Sequence, residues 1–378
     1  MSRGLGTVLA ETAEFRRQVI RNDDYALSPE QELLRETYAR LLAVHSPIER
    51  VRAVERLPGR FDRKLWSAMT RLGAASLGLG TPGQDGASLV DLAVICEQLG
   101  RAAAATPLIE AAVVGRLGEK LGGEHRERVA SLLSGSAAVT SVWLHPATPG
   151  MRQLVPCGAV AGHLVGQMDD RLLICAGRRA ESPDNIASAP IAWWQIDPAG
   201  SAELASGPLA GRLFAQLVGE WKLLTAAAVL GLAGAALDDA VRYARQREAF
   251  GIPIGAFQAV SHPLADTAVH LEAARRLVWR AAWYTDHDPA AAPELLPMAV
   301  LLAGEVAGRA TETSVHTEGG FGVTHDSSTQ MYFRRAKGWP LLAGDPAREL
   351  SSITGHLRRH AATVGQAGAR RRPAGEVR

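Results

Sequence analysis

Three long helical segments rich in alanine dominate the C-terminal half of the sequence. Apolar residues recur at helical spacing in LLTAAAVLGLAGAALDDAVRYARQR, in VSHPLADTAVHLEAARRLVWRAAWYTD and in LLPMAVLLAGEVAGRATETSVHTEGG. Because small alanine side chains let helix axes approach closely, these segments predict a compact helical bundle over residues 219–362. No heptad run or solenoid-type repeat interrupts this pattern.

The remainder of the chain divides into a helical part and a strand-rich part. Residues 25–134 are predicted to be mostly α-helical, and the first helix begins at Ser28 and Pro29, which are good helix-starting residues. Residues 135–218 contain short apolar runs, namely AAVTSVWL, AVAGHLVGQM, DRLLICAG, IAWWQID and RLFAQLVG, and turn-forming residues separate them. This pattern predicts a small domain of antiparallel strands. The chain is therefore of the α+β class and mostly α.

Both ends of the chain lack a clear pattern. Residues 1–24 are interpreted as an N-terminal extension, without a secretory signal segment. Residues 363–378 are interpreted as a disordered basic tail, because Arg370, Arg371 and Arg372 stand among Gly, Ala and Pro.

Charge and cysteine usage exclude several classes of protein. The formal net charge is +2 and no basic run lies in the folded part, which argues against nucleic acid as a partner. We see no apolar run long enough to span a bilayer, so no membrane partner is predicted. Cys96, Cys157 and Cys175 are far apart in apolar contexts, which predicts reduced core thiols and a cytoplasmic location.

The segment RQREAFGIPIGAFQ links the first two long helices and carries the most informative pattern. Arg247 can offer a guanidinium to a phosphate pair, Phe250 can pack against a flat ring, and Gln258 can hydrogen-bond to a nucleotide edge. On spacing alone, another interpretation stays open. In it Arg247 caps a helix dipole, Phe250 belongs to the core, and Gln258 is an ordinary surface residue.

A second informative segment, HTEGGFGVTHDSSTQMYFRRAKG, follows the third long helix. Gly319 and Gly320 can let backbone N–H groups approach a cofactor, although an ordinary glycine helix end is the commoner origin of such a segment. His316 and His325 lack a credible set of further ligands, so no metal site is predicted.

Taken whole, these two segments resemble the acyl-CoA dehydrogenase family. Arg247, Phe250, Gly251, Phe257 and Gln258 fall in register with its pattern of Arg, Phe-Gly and a downstream Phe-Gln pair. HTEGGFG is similar to the family's double-glycine turn, with His316 at a position that is commonly Gln. LGLGTPGQDGAS, VICEQLGR and TPL resemble its helical N-terminal region.

The resemblance implies a fold, a cofactor and partners. It implies an N-terminal helical domain, a small β domain and a C-terminal four-helix bundle that mediates oligomerisation. It also implies FAD, clasped at its pyrophosphate and adenosine end by Arg247, Phe250, Gln258, His316, Gly319 and Gly320, and bound mainly to a neighbouring subunit. The implied reaction is α,β-dehydrogenation of an acyl-CoA thioester, with electrons leaving to an acceptor flavoprotein.

The sequence departs from the family pattern at the position of the catalytic base. The reaction needs a carboxylate to take the α-proton while the flavin takes hydride from the β-carbon. Many members carry that Glu in the loop after Arg-Ala-Lys, and the matching position here is Ala343. Some relatives carry it at the start of the first long C-terminal helix, where Glu220 stands one residue from the expected place. Glu220 is therefore the candidate base, and Asp345 is a weaker one, with helix-start and loop-cap roles as their ordinary alternatives.

The β domain also departs from the family pattern. His145 and Pro146 stand where Glu-Pro is usual, and a hairpin is missing before QLVPCGAVAGHLVGQM. Trp193 and Trp194 are possible ring partners, although strand packing explains them more simply.

Three functions are compatible with these features. The chain resembles the short bacterial members that form α2β2 tetramers in the oxidation of steroid and related side chains, in which one subunit has lost its own site. One reading is an acyl-CoA dehydrogenase acting within a homo- or hetero-tetramer. The second is a non-catalytic partner subunit that completes the FAD site of a homologue, and the third is an acyl-CoA oxidase.

Overall fold

The N-terminal part of the protein is helical, as its sequence predicts. The computed structural model describes residues 26–80, 86–134, 139–176 and 178–370. The first helix has a capping box, in which Ser28 Oγ accepts from the Gln31 backbone N–H at 3.2 Å and Gln31 Oε1 accepts from the Ser28 N–H at 3.1 Å. The helices of this part are α1 (Pro29–His45), α2 (Ile48–Glu55), α3 (Arg63–Arg71), α4 (Leu89–Arg101), α5 (Leu108–Leu121) and α6 (Gly123–Ser134).

Among its described residues, the middle part has seven short strands in two sheets. One sheet has the order β1-β3-β4-β7 and the other has the order β2-β6-β5. The prediction that all strands are antiparallel is wrong for one pair, because β1 runs parallel to β3. The strands are β1 (Val139–Val142), β2 (Arg152–Val155), β3 (Ala161–Met168), β4 (Arg171–Cys175), β5 (Arg178–Glu181), β6 (Ala192–Gln195) and β7 (Ala202–Ser206).

The prediction of a strand at RLFAQLVG, residues 212–219, is wrong. These residues belong to helix α7, which runs without interruption over Gly207–Gln246. Its buried apolar residues here are Ala210, Phe214, Leu217 and Trp221, and they are spaced by three or four. That spacing places them on one helix face, whereas a strand would need alternation by two. The helical C-terminal part therefore begins at residue 207 and not at residue 219.

Helix α7 is the central element of the C-terminal part. It packs against α4 of the N-terminal part and against the helices that follow it. By length and composition it is long and apolar enough to cross a membrane, which the sequence interpretation missed, but 83% of its apolar window is buried inside the protein. The other elements are the hairpin β8 (Glu248–Ala249) and β9 (Ile252–Pro253), and helices α8 (Gln258–His287), α9 (Leu295–Glu318), α10 (Thr329–Gly338) and α11 (Pro346–Arg370).

Residues 363–370 of the predicted tail fall within the last helix. Helix α11 continues through them to Arg370. Alanine is frequent in HAATVGQAGAR, and its high helix propensity favours continuation of the helix. Residues 371–378 of the predicted tail, and residues 1–24 of the predicted extension, lie outside the described residues.

Two glycines allow α4 and α7 to cross at backbone contact. A Cβ atom on Gly100 would overlap the carbonyl oxygen of Ala228, and a Cβ atom on Gly231 would overlap the carbonyl oxygen of Glu97. The two helices thus approach more closely than any residue with a side chain permits. This crossing joins the N-terminal part to the C-terminal part.

Replacing Gly100 with alanine is expected to lower the free energy of unfolding by about 3 kcal/mol, because the added methyl group forces the two backbones apart. Chemical denaturation monitored by circular dichroism measures this change. Gly211→Ala is the matched control on α7, since no atom lies within 4 Å of the added Cβ. It is expected to raise stability by about 0.5–1 kcal/mol. Equal stability of Gly100→Ala and the wild type would contradict the close crossing.

Candidate functional site

The predicted cofactor residues of RQREAFGIPIGAFQ form an exposed corner between α7 and α8. Helix α7 ends at Gln246, and Arg247 turns the chain into the β8–β9 hairpin. Phe250 and Gly251 form the turn, with φ angles of 55° and 81°. A positive φ is costly for a bulky residue such as phenylalanine, so Phe250 is held in an unusual backbone conformation.

The side chain of Phe250 projects away from the protein. It is 97% exposed, and its ring meets the edge of the Phe257 ring at a centroid distance of 6.1 Å. The interpretation of Phe250 as a core residue is therefore wrong. A fully exposed aromatic ring on a strained turn is typical of a position that packs against another molecule.

Arg247 and Gln258 lie at the two ends of this corner, and both are exposed. Among the residues that the structure describes, the Arg247 guanidinium makes no hydrogen bond or ion pair. All its donors are thus available to an anion. Arg247, Phe250, Phe257 and Gln258 form one surface with an unused guanidinium, a flat ring and an amide, which fits the pyrophosphate and base of a dinucleotide.

The double-glycine segment lies beside the same end of α7. Gly319 ends α9 with a φ of 62°, and its N–H bonds to the carbonyl groups of His316 and Val315, so it is a glycine helix end, one of the two interpretations left open. Phe321 stacks on Tyr243 with parallel rings and a centroid distance of 6.3 Å. Tyr243 lies one helical turn before Arg247. His316, Gly319 and Gly320 are exposed, which leaves them accessible to a ligand.

Glu220 lies in a buried ion-pair cluster, and its contacts argue against its role as a base. Its Oε2 accepts from Arg116 Nε at 2.8 Å, and its Oε1 accepts from Lys120 Nζ at 2.6 Å and from Gln216 Nε2 at 3.1 Å. Arg116 also contacts Asp286 at 2.5 Å. Burial by itself would raise the pKa of Glu220, but Arg116 and Lys120 outweigh it and hold this pKa below its usual range. A carboxylate so stabilised in its charged form is a weak acceptor of protons.

The neighbouring residue, Trp221, lines an apolar cavity that lies between the three parts of the chain, and Glu220 does not line it. Glu220 is absent from the cavity lining, whereas Trp221, Thr225 and Ala228 of α7 belong to it. One residue along a helix turns the side chain by about 100°. The one-residue displacement from the family pattern therefore turns the carboxylate away from the cavity. Nor is Glu220 a helix-start acid, because α7 begins thirteen residues earlier, at Gly207.

The cavity lies where the three parts of the chain meet. Its volume is about 70 Å³. The N-terminal part, the β part and the C-terminal part all contribute to its mostly apolar wall. The lining residues are Leu99, Ala104, Ala105, Thr106, Ile109, Glu110, Pro156, Cys157, Ala189, Pro190, Ile191, Trp221, Thr225, Ala228, Trp339 and Leu342.

Asp345 caps a helix and is not part of the cavity lining. Its Oδ1 accepts from the Ala347 N–H at 2.9 Å at the beginning of α11. This is the loop-cap role given above as its ordinary alternative. Ala343, which the resemblance matches to the family's loop Glu, has no group that can accept a proton.

Glu110 is the residue of this cavity that the sequence interpretation missed. Its side chain is almost fully buried, with Trp221 Nε1 donating to Oε1 at 2.9 Å and Cys157 Sγ donating to Oε2 at 3.5 Å. Burial raises the pKa of the Glu110 carboxyl group above its usual value. The available signal was a lone carboxylate within the apolar run PLIEAAVV.

Trp193 and Trp194 of the β part and the three cysteines of the chain have packing roles. Trp194 is buried and donates from Nε1 to the Gly158 carbonyl at 2.9 Å, while the Arg152 guanidinium lies over the Trp193 ring at 5.5 Å. Cys96, Cys157 and Cys175 are buried and unpaired, which confirms their interpretation as core thiols. Within the described residues, no three His, Cys, Asp or Glu side chains converge on a possible metal position.

Family models match both helical parts of this chain. The model of the acyl-CoA dehydrogenase N-terminal domain matches residues 28–124, and that of the C-terminal domain matches residues 214–357. Acyl-CoA dehydrogenase IpdE2 of Mycolicibacterium smegmatis is 30% identical over 331 residues, which cover 86% of this chain and 98% of that protein. The mitochondrial short-chain specific acyl-CoA dehydrogenase of Bos taurus is 38% identical over 132 residues, which cover 35% of this chain and 32% of that protein.

Solved structures share the whole fold. The Tcur3481–Tcur3483 steroid ACAD, determined as a variant, superposes with a TM-score of 0.77 and 25% identity over 88% of this chain and 99% of its own. A chain of the ChsE4–ChsE5 complex from Mycobacterium tuberculosis superposes with a TM-score of 0.75 and 23% identity. The match covers 90% of the present chain and 98% of the chain from the complex. The unused guanidinium and exposed ring at the corner fit the cofactor of such proteins. This chain therefore belongs to the acyl-CoA dehydrogenase family, whose cofactor is FAD.

Proposed function

We propose that this chain is one subunit of an oligomeric, FAD-dependent acyl-CoA dehydrogenase, and that it clasps FAD bound mainly to a second, homologous subunit. One observation carries the proposal: the corner and the cavity lie far apart along the same uninterrupted helix, α7. Arg247 follows Thr225 by 22 residues, and Thr225 lines the cavity. At 1.5 Å per residue, α7 separates the two by about 33 Å.

This separation supports a site that is shared between subunits. The ribityl link between the pyrophosphate and the reactive ring of FAD is much shorter than the distance from Arg247 to the cavity. A cofactor held at Arg247 therefore has its ring outside the cavity of the same chain. Two subunits are needed, one for each end of the cofactor.

The proposed roles of this chain's residues follow from the chemistry of the corner. The bound flavin supplies the acceptor for the hydride of the β-carbon. Arg247 neutralises and orients the pyrophosphate through charge-assisted hydrogen bonds. Phe250 covers a flat face of the adenosine end, and Gln258 bonds to its edge. His316, Gly319 and Gly320 border the same end of α7 and are proposed as further contacts.

Proton abstraction is proposed to come from the second subunit. The cavity of this chain is lined by one carboxyl group among the described residues, Glu110, and its two oxygens already accept hydrogen bonds from Trp221 and Cys157. Glu220 and Asp345 are committed to other contacts, and Ala343 has replaced the loop base. A partner that keeps the loop Glu would complete the reaction, and an acceptor flavoprotein would remove the electrons.

Relatives support an assembly of two unlike chains. The Tcur3481–Tcur3483 steroid ACAD is named for two chains, and its 25% identity extends over nearly all of this chain. We propose the same arrangement here, with an acyl group of the branched or steroid side-chain kind. The three buried free thiols are consistent with a reducing cytoplasm as its location.

Expression with and without a homologous partner tests the proposed function. With a partner that retains the loop Glu, we expect a yellow complex that holds FAD and is bleached by acyl-CoA. The chain expressed alone is expected to hold little flavin and to show no turnover with an artificial electron acceptor. The control is the same complex with that partner Glu changed to Gln, which should keep its flavin and lose turnover. Stoichiometric flavin and full turnover by the single chain would instead identify a stand-alone enzyme.

A further inference from the structure

A polar pocket between α4 and α8 has no role in the proposed function. Its volume is about 310 Å³, and sites for small organic ligands span about 300–1,000 Å³. Gln98 lies four residues after Val94 on α4, and Trp279 lies seven residues after Glu272 on α8. Each spacing places its pair on one helix face, so the two helices form the two walls. The guanidinium groups that line this arginine pocket belong to Arg35, Arg101, Arg275 and Arg276.

The wall of the arginine pocket carries an excess of positive charge. Its four arginines face two carboxylates, Glu97 and Glu272, which leaves a formal charge of +2. Arg275 bonds to both carboxylates, because its Nε donates to Glu97 Oε1 at 2.9 Å and its Nη1 donates to Glu272. A cationic ligand would therefore compete with Arg275 for each carboxylate. The pocket is suited to an anion instead.

Two of the arginines can turn to a ligand at little cost. Arg35 pairs with Glu32, and Arg101 pairs with Asp238, but these four side chains are 36–57% exposed. Exposed ion pairs of this kind contribute little to stability. A guanidinium has five N–H donors in a planar fork, and that fork matches the oxygens of a phosphate group. Arg35 and Arg101 therefore retain donors for a phosphate.

The amide of Gln98 is a second polar feature of the pocket. Gln98 is 7% exposed, and within the residues that the structure describes its side chain makes no hydrogen bond. Its amide atoms are not sealed inside the protein and stay accessible from the pocket. A buried amide without a partner carries a free-energy cost. Because an amide both donates and accepts, a hydroxyl group of a ligand satisfies it.

From these features we propose that the arginine pocket binds the phosphomonoester of a small sugar. A phosphomonoester carries about −1.5 to −2 charges at pH 7, which matches the formal charge of the wall. Arg35 and Arg101 hold the phosphate through charge-assisted hydrogen bonds, and a sugar hydroxyl bonds to Gln98. A phosphate ion alone would leave Gln98 without a partner and part of the pocket unfilled.

The arginine pocket is separate from the two sites described above. Glu272 follows Gln258 by 14 residues on α8, so about 21 Å of helix lies between the corner and this pocket residue. No described residue lines both the arginine pocket and the apolar cavity. A Cβ atom on Gly231 of α7 would meet the Arg101 N–H and the Glu97 carbonyl, so the pocket adjoins the crossing of α4 and α7. A ligand bound there is therefore a regulator or stabiliser of the fold.

Calorimetric titration with simple phosphates tests the site. The full chain is used, with any partner that co-purifies, in phosphate-free buffer at low ionic strength. Ribose 5-phosphate is expected to bind at least about tenfold more tightly than inorganic phosphate, and ribose without phosphate is expected not to bind detectably. AMP that binds more tightly than ribose 5-phosphate would identify a nucleotide as the source of the sugar phosphate, and weaker binding of AMP would identify a free sugar phosphate. Equal affinity for ribose 5-phosphate and inorganic phosphate, or binding of neither, would overturn the inference.

Two variants of the same helix test the role of the guanidinium groups. Arg35→Ala is expected to weaken binding of ribose 5-phosphate about tenfold. Arg40→Ala is the matched control, because Arg40 is also an exposed arginine of α1 with a glutamate partner, Glu36, and does not line the pocket. It should bind ribose 5-phosphate as the wild type does. Equal weakening by both variants would show general charge attraction and reject the pocket.

Two further variants test the sugar contact and the location. Gln98→Met keeps the length of the side chain and should lose the preference for ribose 5-phosphate over inorganic phosphate. Arg247→Ala should leave the affinity for ribose 5-phosphate unchanged, since the corner is a separate site. Thermal unfolding of each variant checks that it is folded. Weaker binding by Arg247→Ala with unchanged binding by Arg35→Ala would place the sugar phosphate at the corner and contradict the proposal.

Discussion

Replacing Glu220 with glutamine is expected to lower the free energy of unfolding by about 3 kcal/mol. The carboxylate is almost fully buried and contacts Arg116, Lys120 and Gln216. Removing one partner of a buried charge pair leaves the other charge unbalanced, which is strongly destabilising. Asp286 still compensates part of the charge of Arg116, so the loss should lie at the lower end of the range for such pairs. Chemical denaturation at pH 7 measures it.

The same substitution should change how stability depends on pH. The folded protein holds the pKa of Glu220 below the ordinary value of 4.5. A depressed carboxyl pKa contributes stability above the unfolded pKa, and that contribution is lost as pH falls through the folded pKa. The wild type should therefore exceed Glu220→Gln in stability at neutral pH, and the difference should shrink below about pH 4.5.

Turnover distinguishes this structural role from the role of a base. At a temperature where the variant is folded, Glu220→Gln in the active complex should keep most of its turnover per bound flavin. Loss of a general base would instead reduce turnover by about 10²–10⁴-fold. Glu127→Gln, at an exposed position of α6, is the matched control and should change neither stability nor turnover. Loss of turnover at unchanged stability would restore Glu220 as the candidate base.

Replacing Arg247 with alanine is expected to weaken FAD binding by the complex about 10- to 100-fold. The guanidinium is exposed and unpaired among the described residues, so its removal costs the folded chain little. What is lost is one pair of charge-assisted hydrogen bonds to phosphate. Flavin content after gel filtration and titration of the apo-complex with FAD measure the effect.

Two further variants give this experiment its specificity. Arg247→Lys keeps the charge but lacks the planar fork of donors, so intermediate affinity is expected. Arg245→Ala removes an equally exposed cation two residues earlier on α7 and should leave FAD binding unchanged. If Arg245→Ala and Arg247→Ala weaken binding equally, the corner contributes only general positive charge and the proposed clasp fails.

The sequence predicts the parts of the fold that depend on local signals. Ser28 and Gln31 form the cap that begins α1, and the alanine-rich periodicity after Glu220 identifies long helices. Local signals gave a wrong prediction where an apolar run was too short to distinguish a strand from a helix. RLFAQLVG was read as a strand because its helical spacing continues into Trp221, beyond the run itself.

The sequence does not predict those features of the site that depend on contacts between distant segments of the chain. The resemblance to the family pointed to Arg247, Phe250 and Gln258, and they share one exposed corner because they are close in sequence. The direction of Glu220 depends on Arg116 and Lys120, about a hundred residues away. Glu110, Cys157 and Trp221 meet only because three parts of the chain pack together, and no local pattern reports that meeting.

The length of α7 has a consequence for how such a protein diverges after gene duplication. Its cavity wall and its cofactor corner occupy distant stretches of one helix, so substitutions in one leave the other intact. Under the proposed function, one copy can lose its proton acceptor while selection preserves the corner that binds the cofactor of the other copy. Insertions within α7 are a different matter, since a single added residue rotates everything beyond it by about 100°. Substitutions can therefore change the cavity wall without changing the corner, whereas an insertion or deletion within α7 would change the orientation of the residues beyond it.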